Sequence, residues 1–120
     1  MMAWCYFQEM SWINSAALNA GDFFHGPLEM VLEDTTVVTL VAEDASRELG
    51  ERVVRFAEKH TSNSAAVDTA KFSLPGIPAD SRPDLSVIAL MSAERRVLDH
   101  VAARRGHDTS QRRYMYKIAY

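Results

Sequence analysis

Cysteine is scarce in this chain of 120 residues, which contains only Cys5. A single thiol cannot form an internal disulfide, and low cysteine content is typical of proteins that fold in a reducing cytosol. We therefore expect a cytoplasmic protein in which Cys5 is a small buried side chain rather than a nucleophile. His60, His100 and His107 have no ligand-like spacing with one another or with the cysteine, so we predict no metal site.

Blocks of positive charge are also missing. The net charge is −3, both signs are mixed along the chain, and no basic block contains interleaved aromatic residues, so we expect no nucleic-acid partner. The apolar N-terminus lacks a positively charged region and is interrupted by Gln8, Glu9 and Asn14, so we expect a core helix there rather than a signal peptide or a membrane span. With 48% hydrophobic residues, the chain can build one domain with a small core.

The first thirteen residues predict a buried helix, because they are rich in large side chains and contain neither glycine nor proline. We expect this helix to continue through residues 15–19 and to break at Ala20-Gly21. Glu9 is the only charged residue before Asp22. In an α-helix it shares a face with Cys5, Tyr6, Trp12 and Ile13, neighbours that would remove water from a carboxylate and ready it to exchange protons.

His25 follows Glu9 by sixteen residues and precedes Gly26-Pro27, which ends any regular element. We predict a short helical turn or irregular segment over residues 22–31. The β-branched run at 36–42 then predicts a strand buried on both faces of a parallel sheet, and residues 65–68 predict a second, shorter strand.

Two amphipathic helices are predicted around the second strand. The first begins at Asp44 as N-cap and ends near His60, with an apolar side of Leu49, Val53, Phe56 and Ala57. A proline-containing loop is expected over residues 69–83. The last helix is predicted from Asp84 to Gly106, and Glu94 interrupts its apolar side, which consists of Val87, Leu90, Met91, Leu98 and Val101.

The alternation of helices and strands predicts an α/β fold, part of a three-layer, doubly wound parallel sheet flanked by helices. Such sheets bind ligands at the carboxyl ends of their strands. The polar run Thr61–Ser64 follows a helix and precedes a strand, so we interpret it as a turn at the opposite end of the sheet. No glycine-rich phosphate loop occurs in the chain.

Two motifs resemble a known family. Glu9, the following Ser-Trp-Ile-Asn and His25-Gly-Pro-Leu-Glu are similar to the second (C-terminal) sugar isomerase (SIS) domain of the phosphosugar isomerase family, including the isomerase domain of glucosamine-6-phosphate synthase. Phe23-Phe24 before His25, with the ending Arg112-Arg113-Tyr114-Met115-Tyr116-Lys117, is most similar to the fructosamine-6-phosphate (fructoselysine-6-phosphate) deglycases. The resemblance implies an SIS fold incomplete at its N-terminus, with a partial domain at 1–106 and a tail at 107–120 that contributes to an active site.

The resemblance also implies catalytic roles for three residues. Glu9 would move a proton between neighbouring sugar carbons, and His25 would act as acid or base in ring opening. Lys117 would stabilise negative charge on a developing enolate oxygen. The alternatives are a half-buried Glu9 paired with Arg112 or Arg113, a histidine satisfied in the core, and a lysine solvated in a flexible tail.

Substrate binding would involve Arg113 and Tyr114, and the two tail arginines, Arg112 and Arg113, could contact a phosphate or carboxylate of the substrate. The implied reaction cleaves a 6-phosphorylated ketosamine to glucose 6-phosphate and an amine or amino acid, without a metal or organic cofactor. An aldose–ketose phosphosugar isomerase or glucosamine-6-phosphate-forming domain is the first alternative. A non-catalytic sugar-phosphate-binding or oligomerisation module is the second.

The expected partners follow from the same resemblance. They are the phosphorylated sugar or ketosamine and either an N-terminal SIS domain or another copy of this chain. Because the chain contains the proton-transfer residues without a phosphate loop, we expect weak or no activity from it alone. An incomplete sheet and an apolar first helix also favour association into an oligomer.

Overall fold

The computed structural model describes residues 2–119, which separate into two units. One consists of the described residues up to Ala17 together with those from Ser92 onward, and the other is Leu18–Met91. Met1, part of the predicted first helix, and Tyr120, part of the predicted tail, lie outside the described residues.

A β–α–β element forms the second unit. Strands β1 (Thr36–Val41) and β2 (Asn63–Asp68) pair in parallel, with Thr36 opposite Asn63 and Val41 opposite Asp68. Helix α1 (Arg47–His60) connects them. The parallel sheet predicted from the β-branched runs is confirmed. Burial on both faces of the first strand is wrong, because Thr36 at its start is exposed and only Thr39 and Val41 within it are fully buried.

The apolar side of α1 differs from the predicted one at its first turn. Val53 and Ala57 are buried as expected, but Leu49 is 41% exposed and Gly50 is buried in its place. Gly50 contacts β1, since a Cβ atom built on it would lie 3.5 Å from Cγ2 of Val41. The predicted N-cap is also wrong. Ser46 occupies that position, and Oδ1 of Asp44 instead accepts a hydrogen bond of 2.8 Å from the Ser46 amide.

Charged side chains join the carboxyl ends of the strands to the helices. Arg47, the first residue of α1, donates to the Ala42 carbonyl at 3.1 Å and to both carboxylate oxygens of Asp68 at 2.9 and 3.0 Å. Arg82 contacts both oxygens of Glu43 at 2.9 Å. These arginine contacts lower the pKa values of Asp68 and Glu43.

At the opposite end of the sheet, Thr61 is buried and its hydroxyl donates to the carbonyls of Glu33 and Thr35. The Asn63 side chain donates to the Asp34 carbonyl at 3.1 Å. These bonds hold the start of β2 against the segment that precedes β1. The polar run at 61–64 therefore lies at the amino ends of the strands, as predicted, but its prediction as a turn is wrong for Asn63 and Ser64, which begin β2.

Helix α2 (Arg82–Arg105) begins two residues before the predicted Asp84 and is followed by Gly106 in a left-handed conformation (φ 59°). Its buried positions recur every four residues, at Ser86, Leu90, Glu94, Leu98 and Ala102. The predicted apolar side is therefore partly wrong, since Val87 and Met91 are 53% and 44% exposed. Glu94, which interrupts the apolar pattern, is buried within this stripe, and burial raises its pKa.

The first helix is a π-helix, Met2–Glu9, followed by a helical turn through Ser11. Met2 and Ala3 are buried, whereas Cys5 is half-buried and Trp4 is 64% exposed, so the helix is less buried than predicted. The predicted continuation through residues 15–19 is wrong. Trp12 adopts a left-handed backbone (φ 53°), and the chain is irregular from there to Asn19.

Neither α2 nor any other helix within residues 2–119 combines the length and hydrophobicity that crossing a membrane requires.

Candidate functional site

A cavity of about 420 Å³ lies within the first unit. One wall comes from the end of the first helix and the residues after it, and the other comes from the C-terminal segment. The residues that line it are Gln8, Glu9, Trp12, Ile13, Asn14, Arg112, Arg113, Tyr114 and Met115. Three of the residues assigned from the family resemblance, Glu9, Arg113 and Tyr114, therefore line one cavity.

The Glu9 carboxylate forms an ion pair in this cavity. Its Oε1 atom lies 3.1 Å from Nη2 of Arg112, and the Glu9 and Arg112 side chains are 33% and 20% exposed. The pairing considered as an alternative to a catalytic role is therefore present. Pairing does not exclude that role, because the ionised carboxylate that binds a guanidinium is also the form that can accept a proton.

Arg112 is fixed by the backbone around it. Nη1 donates to the carbonyls of Thr109 and Gln111 at 2.8 and 2.9 Å. Its Nε atom is buried and has no hydrogen-bond partner within residues 2–119. The guanidinium is thus held in one orientation by the segment that carries it.

Trp12 forms the aromatic part of the cavity wall. The Arg113 guanidinium carbon lies 4.2 Å from the centre of the indole, a cation–π distance. The ring of His107 meets the same indole nearly edge-on, with centroids 4.6 Å apart. Arg113 itself is exposed. Its planar cation therefore stacks on Trp12 while remaining open to a ligand.

The C-terminal segment, which was predicted as a tail, folds through turns. Asp108 accepts hydrogen bonds from the amide and hydroxyl of Ser110 at 2.8 and 2.7 Å, which lower the pKa of Asp108. The Lys117 amide donates to the Tyr114 carbonyl at 2.8 Å, and Tyr116 between them is left-handed (φ 63°). The Lys117 side chain is exposed and does not line the cavity.

His25 belongs to the second unit and is exposed there. It lies in a series of turns that ends at Gly26 (φ 137°), directly before the 3-10 helix Pro27–Met30. Phe23 is buried and its ring meets that of Phe56 on α1 at 5.4 Å. The aromatic residues before His25 thus anchor the turn to α1 and leave the imidazole accessible.

The sequence did not identify every cavity residue. Gln8, Asn14 and Met115 were not predicted as site residues, although Asn14 and Met115 lie within the motifs that resemble the family. The break of the helix at Trp12 brings residues 13 and 14 to the wall. The sequence also did not show which of the two neighbouring arginines, Arg112 or Arg113, would pair with Glu9. No group of three or more His, Cys, Asp or Glu side chains among the described residues is arranged to hold a metal ion.

The chain is similar to curated and solved proteins over nearly all of its length. It is 34% identical over 116 residues to fructosamine deglycase FrlB of Bacillus subtilis, covering 97% of this chain. Its fold matches the crystal structure of a candidate phosphosugar isomerase from Bacillus subtilis with a TM-score of 0.92, at 34% identity and over 98% of this chain. The chain is a relative of the phosphosugar isomerases and deglycases.

Two further members of this phosphosugar isomerase and deglycase group are similar to the chain. The fructoselysine 6-phosphate deglycase of Escherichia coli K12 is 34% identical over 65 residues, which cover 54% of this chain and 19% of that protein. A candidate phosphosugar isomerase of Salmonella typhimurium gives a TM-score of 0.87 at 30% identity, over 98% of this chain and 36% of that chain. No protein-family model matches the chain.

The chain spans about a third of the length of these relatives, 35% of the Bacillus subtilis deglycase and 36% of the matching crystal structure. The family resemblance deduced from the Glu9–Pro27 motif and the C-terminal segment is confirmed, as is the α/β fold class. The roles assigned to individual residues remain predictions.

Proposed function

We propose that this chain carries the proton-transfer site of a deglycase that acts on 6-phosphorylated ketosamines. Glu9 removes a proton from C1 of the substrate to give an enaminol, and reprotonation at the neighbouring carbon yields an imine. Water then hydrolyses the imine to glucose 6-phosphate and an amine or amino acid. His25 serves as the acid in ring opening or reprotonation, and Lys117 stabilises charge on the enolate oxygen.

The observation that carries this proposal is the position of Glu9. Its carboxylate is partly shielded from water, lies at the wall of a cavity of about 420 Å³, and is accompanied there by two guanidinium groups. A base at such a wall can reach a bound sugar, and the neighbouring cations suit an anionic substrate. The deglycase names of the relatives of known activity favour deglycation over simple isomerisation.

The same geometry also fits a non-catalytic module that binds sugar phosphates. The Glu9–Arg112 pair, at 3.1 Å, favours this second candidate, because a carboxylate held by an arginine can serve purely to orient a binding site. The two candidates differ in what Glu9→Gln does. Loss of the base abolishes proton transfer, whereas a binding site that keeps a polar side chain of the same shape retains most of its affinity.

Incubation with fructoselysine 6-phosphate and measurement of glucose 6-phosphate tests the proposal. We expect slow product formation by the chain, a decrease of at least about a hundredfold for Glu9→Gln, and no more than a twofold change for Glu58→Gln on the exposed side of α1. Product formation at equal rates by the unmodified chain and Glu9→Gln would overturn it. Interconversion of fructose 6-phosphate and glucose 6-phosphate without amine release would assign the isomerase reaction instead.

A further inference from the structure

The position of Glu9 in the backbone is electrostatically unfavourable for a carboxylate. Glu9 is the last residue of the π-helix and lies in the final turn of the helical run that continues through Ser11, where the helix dipole places partial negative charge. About a third of the Glu9 side chain is exposed, so packing around it is incomplete. A carboxylate in this position needs a fixed positive partner to remain at the wall.

Arg112 supplies that partner from the C-terminal segment. Two of its hydrogen bonds go to the carbonyls of Thr109 and Gln111, within three residues of itself, and the third contact goes to Glu9. The turn that carries these carbonyls is closed by the Gln111 amide, which donates to the Asp108 carbonyl at 3.1 Å. The orientation of the guanidinium is therefore determined before any ligand binds.

Its neighbour Arg113 is arranged differently. Arg113 stacks on the half-buried indole of Trp12 and is itself exposed, so its hydrogen-bond donors can reach a ligand. The Arg112 side chain is only 20% exposed, and both of its terminal nitrogens already bind protein oxygens. Adjacent arginines in the tail thus separate into one that can bind substrate and one that binds Glu9.

We infer that Arg112 is a positioning residue for Glu9: anchored to the turn at 109–111, it holds the ionised carboxylate at the cavity wall. The C-terminal segment then determines the orientation of a base carried by the first helix. The catalytic consequence of this inference rests on the proposed deglycase function, whereas the coupling between Arg112 and Glu9 does not.

Kinetics of two variants test the catalytic part. Arg112→Gln is expected to lower kcat by about ten- to a hundredfold with KM changed by less than about twofold, because a misplaced base slows the chemical step and leaves binding intact. Arg112→Lys keeps the positive charge without the planar fork, and we expect it to recover about tenfold of that loss. Arg96→Gln, at an exposed position on α2, is the matched control and should change neither constant.

A double-mutant cycle tests the coupling without any activity. In the cycle of Glu9→Gln and Arg112→Gln, the unfolding equilibrium constant of the double variant should differ about threefold from the value expected for independent changes. Independent effects of the two substitutions on the unfolding equilibrium constant would overturn the inference. So would a rise in KM at constant kcat for Arg112→Gln, which would make Arg112 a substrate-binding residue. A coupled pair in a chain whose product formation is unchanged by Glu9→Gln would sustain the positioning and reject the proposed function.

Discussion

The left-handed backbone at Trp12 allows a test of how the cavity wall is built. Trp12 follows the first helix, its amide donates to the Gln8 carbonyl at 3.1 Å, and its φ is 53°. Positions of this kind after a helix are usually occupied by glycine, because a Cβ atom in the left-handed region costs about 1–2 kcal/mol. We expect Trp12→Gly to be more stable than Trp12→Ala.

The expected difference in free energy of unfolding between Trp12→Gly and Trp12→Ala follows from two opposing effects. Glycine relieves the left-handed strain of about 1–2 kcal/mol but loses about 0.5–1 kcal/mol more backbone entropy than alanine on folding. Trp12→Gly should therefore exceed Trp12→Ala in free energy of unfolding by about 0.5–1 kcal/mol. Trp12→Ala should itself be about 1–2 kcal/mol less stable than the unmodified chain, because the contacts with Arg113 and His107 are lost.

Urea unfolding, followed by the far-ultraviolet circular dichroism of the helices, measures both differences in free energy of unfolding. Ala16→Gly is the matched control, since Ala16 is exposed in the same irregular segment and its backbone is not left-handed. There glycine should lower the free energy of unfolding by about 0.4–1 kcal/mol. If Trp12→Gly is less stable than Trp12→Ala by a similar amount, the backbone at Trp12 is not left-handed and the wall described here is incorrect.

Two further changes probe the second unit and α2. Gly50→Ala should raise the free energy of unfolding by about 0.5–1 kcal/mol in the same urea experiment, because alanine favours the helix. Its Cβ atom would lie 3.5 Å from Cγ2 of Val41, an ordinary van der Waals distance. A decrease would show that α1 packs more closely on β1. Burial raises the pKa of Glu94, so the folded chain binds that proton more tightly than the unfolded chain, and stability falls as pH rises from the ordinary carboxyl pKa through the raised value. Glu94→Gln should remove this decline when urea midpoints are compared across that interval, and parallel profiles for the two proteins would refute it.

The regular elements of the second unit were predictable from local patterns. The β-branched run at 36–41 and the spacing of Val53 and Ala57 each indicate one structure, and tertiary packing agrees with them. Helix α2 was predicted within two residues at its start because Pro83 and Gly106 mark its ends. Its buried side was harder to predict, since the stripe contains Ser86 and Glu94, and a hydrophobicity pattern assigns such residues to the surface.

The site was predictable in its chemistry and less so in its geometry. The motif containing Glu9 and the ending at Arg113-Tyr114 identified residues that line one cavity. No pattern in the sequence predicts a left-handed tryptophan, because the conformation is unfavourable for that residue and persists only through the contacts around it. The same break ended the first helix early and turned a predicted helix at 15–19 into irregular chain.

The hydrogen bonds of Arg47 affect how the two-stranded sheet unfolds. Its single guanidinium joins the chain just after β1, the start of α1 and the last residue of β2. Detaching the end of either strand from α1 therefore breaks at least one hydrogen bond to this side chain. Because one side chain joins both strand ends to α1, we expect the amide protons near those ends to exchange with solvent together.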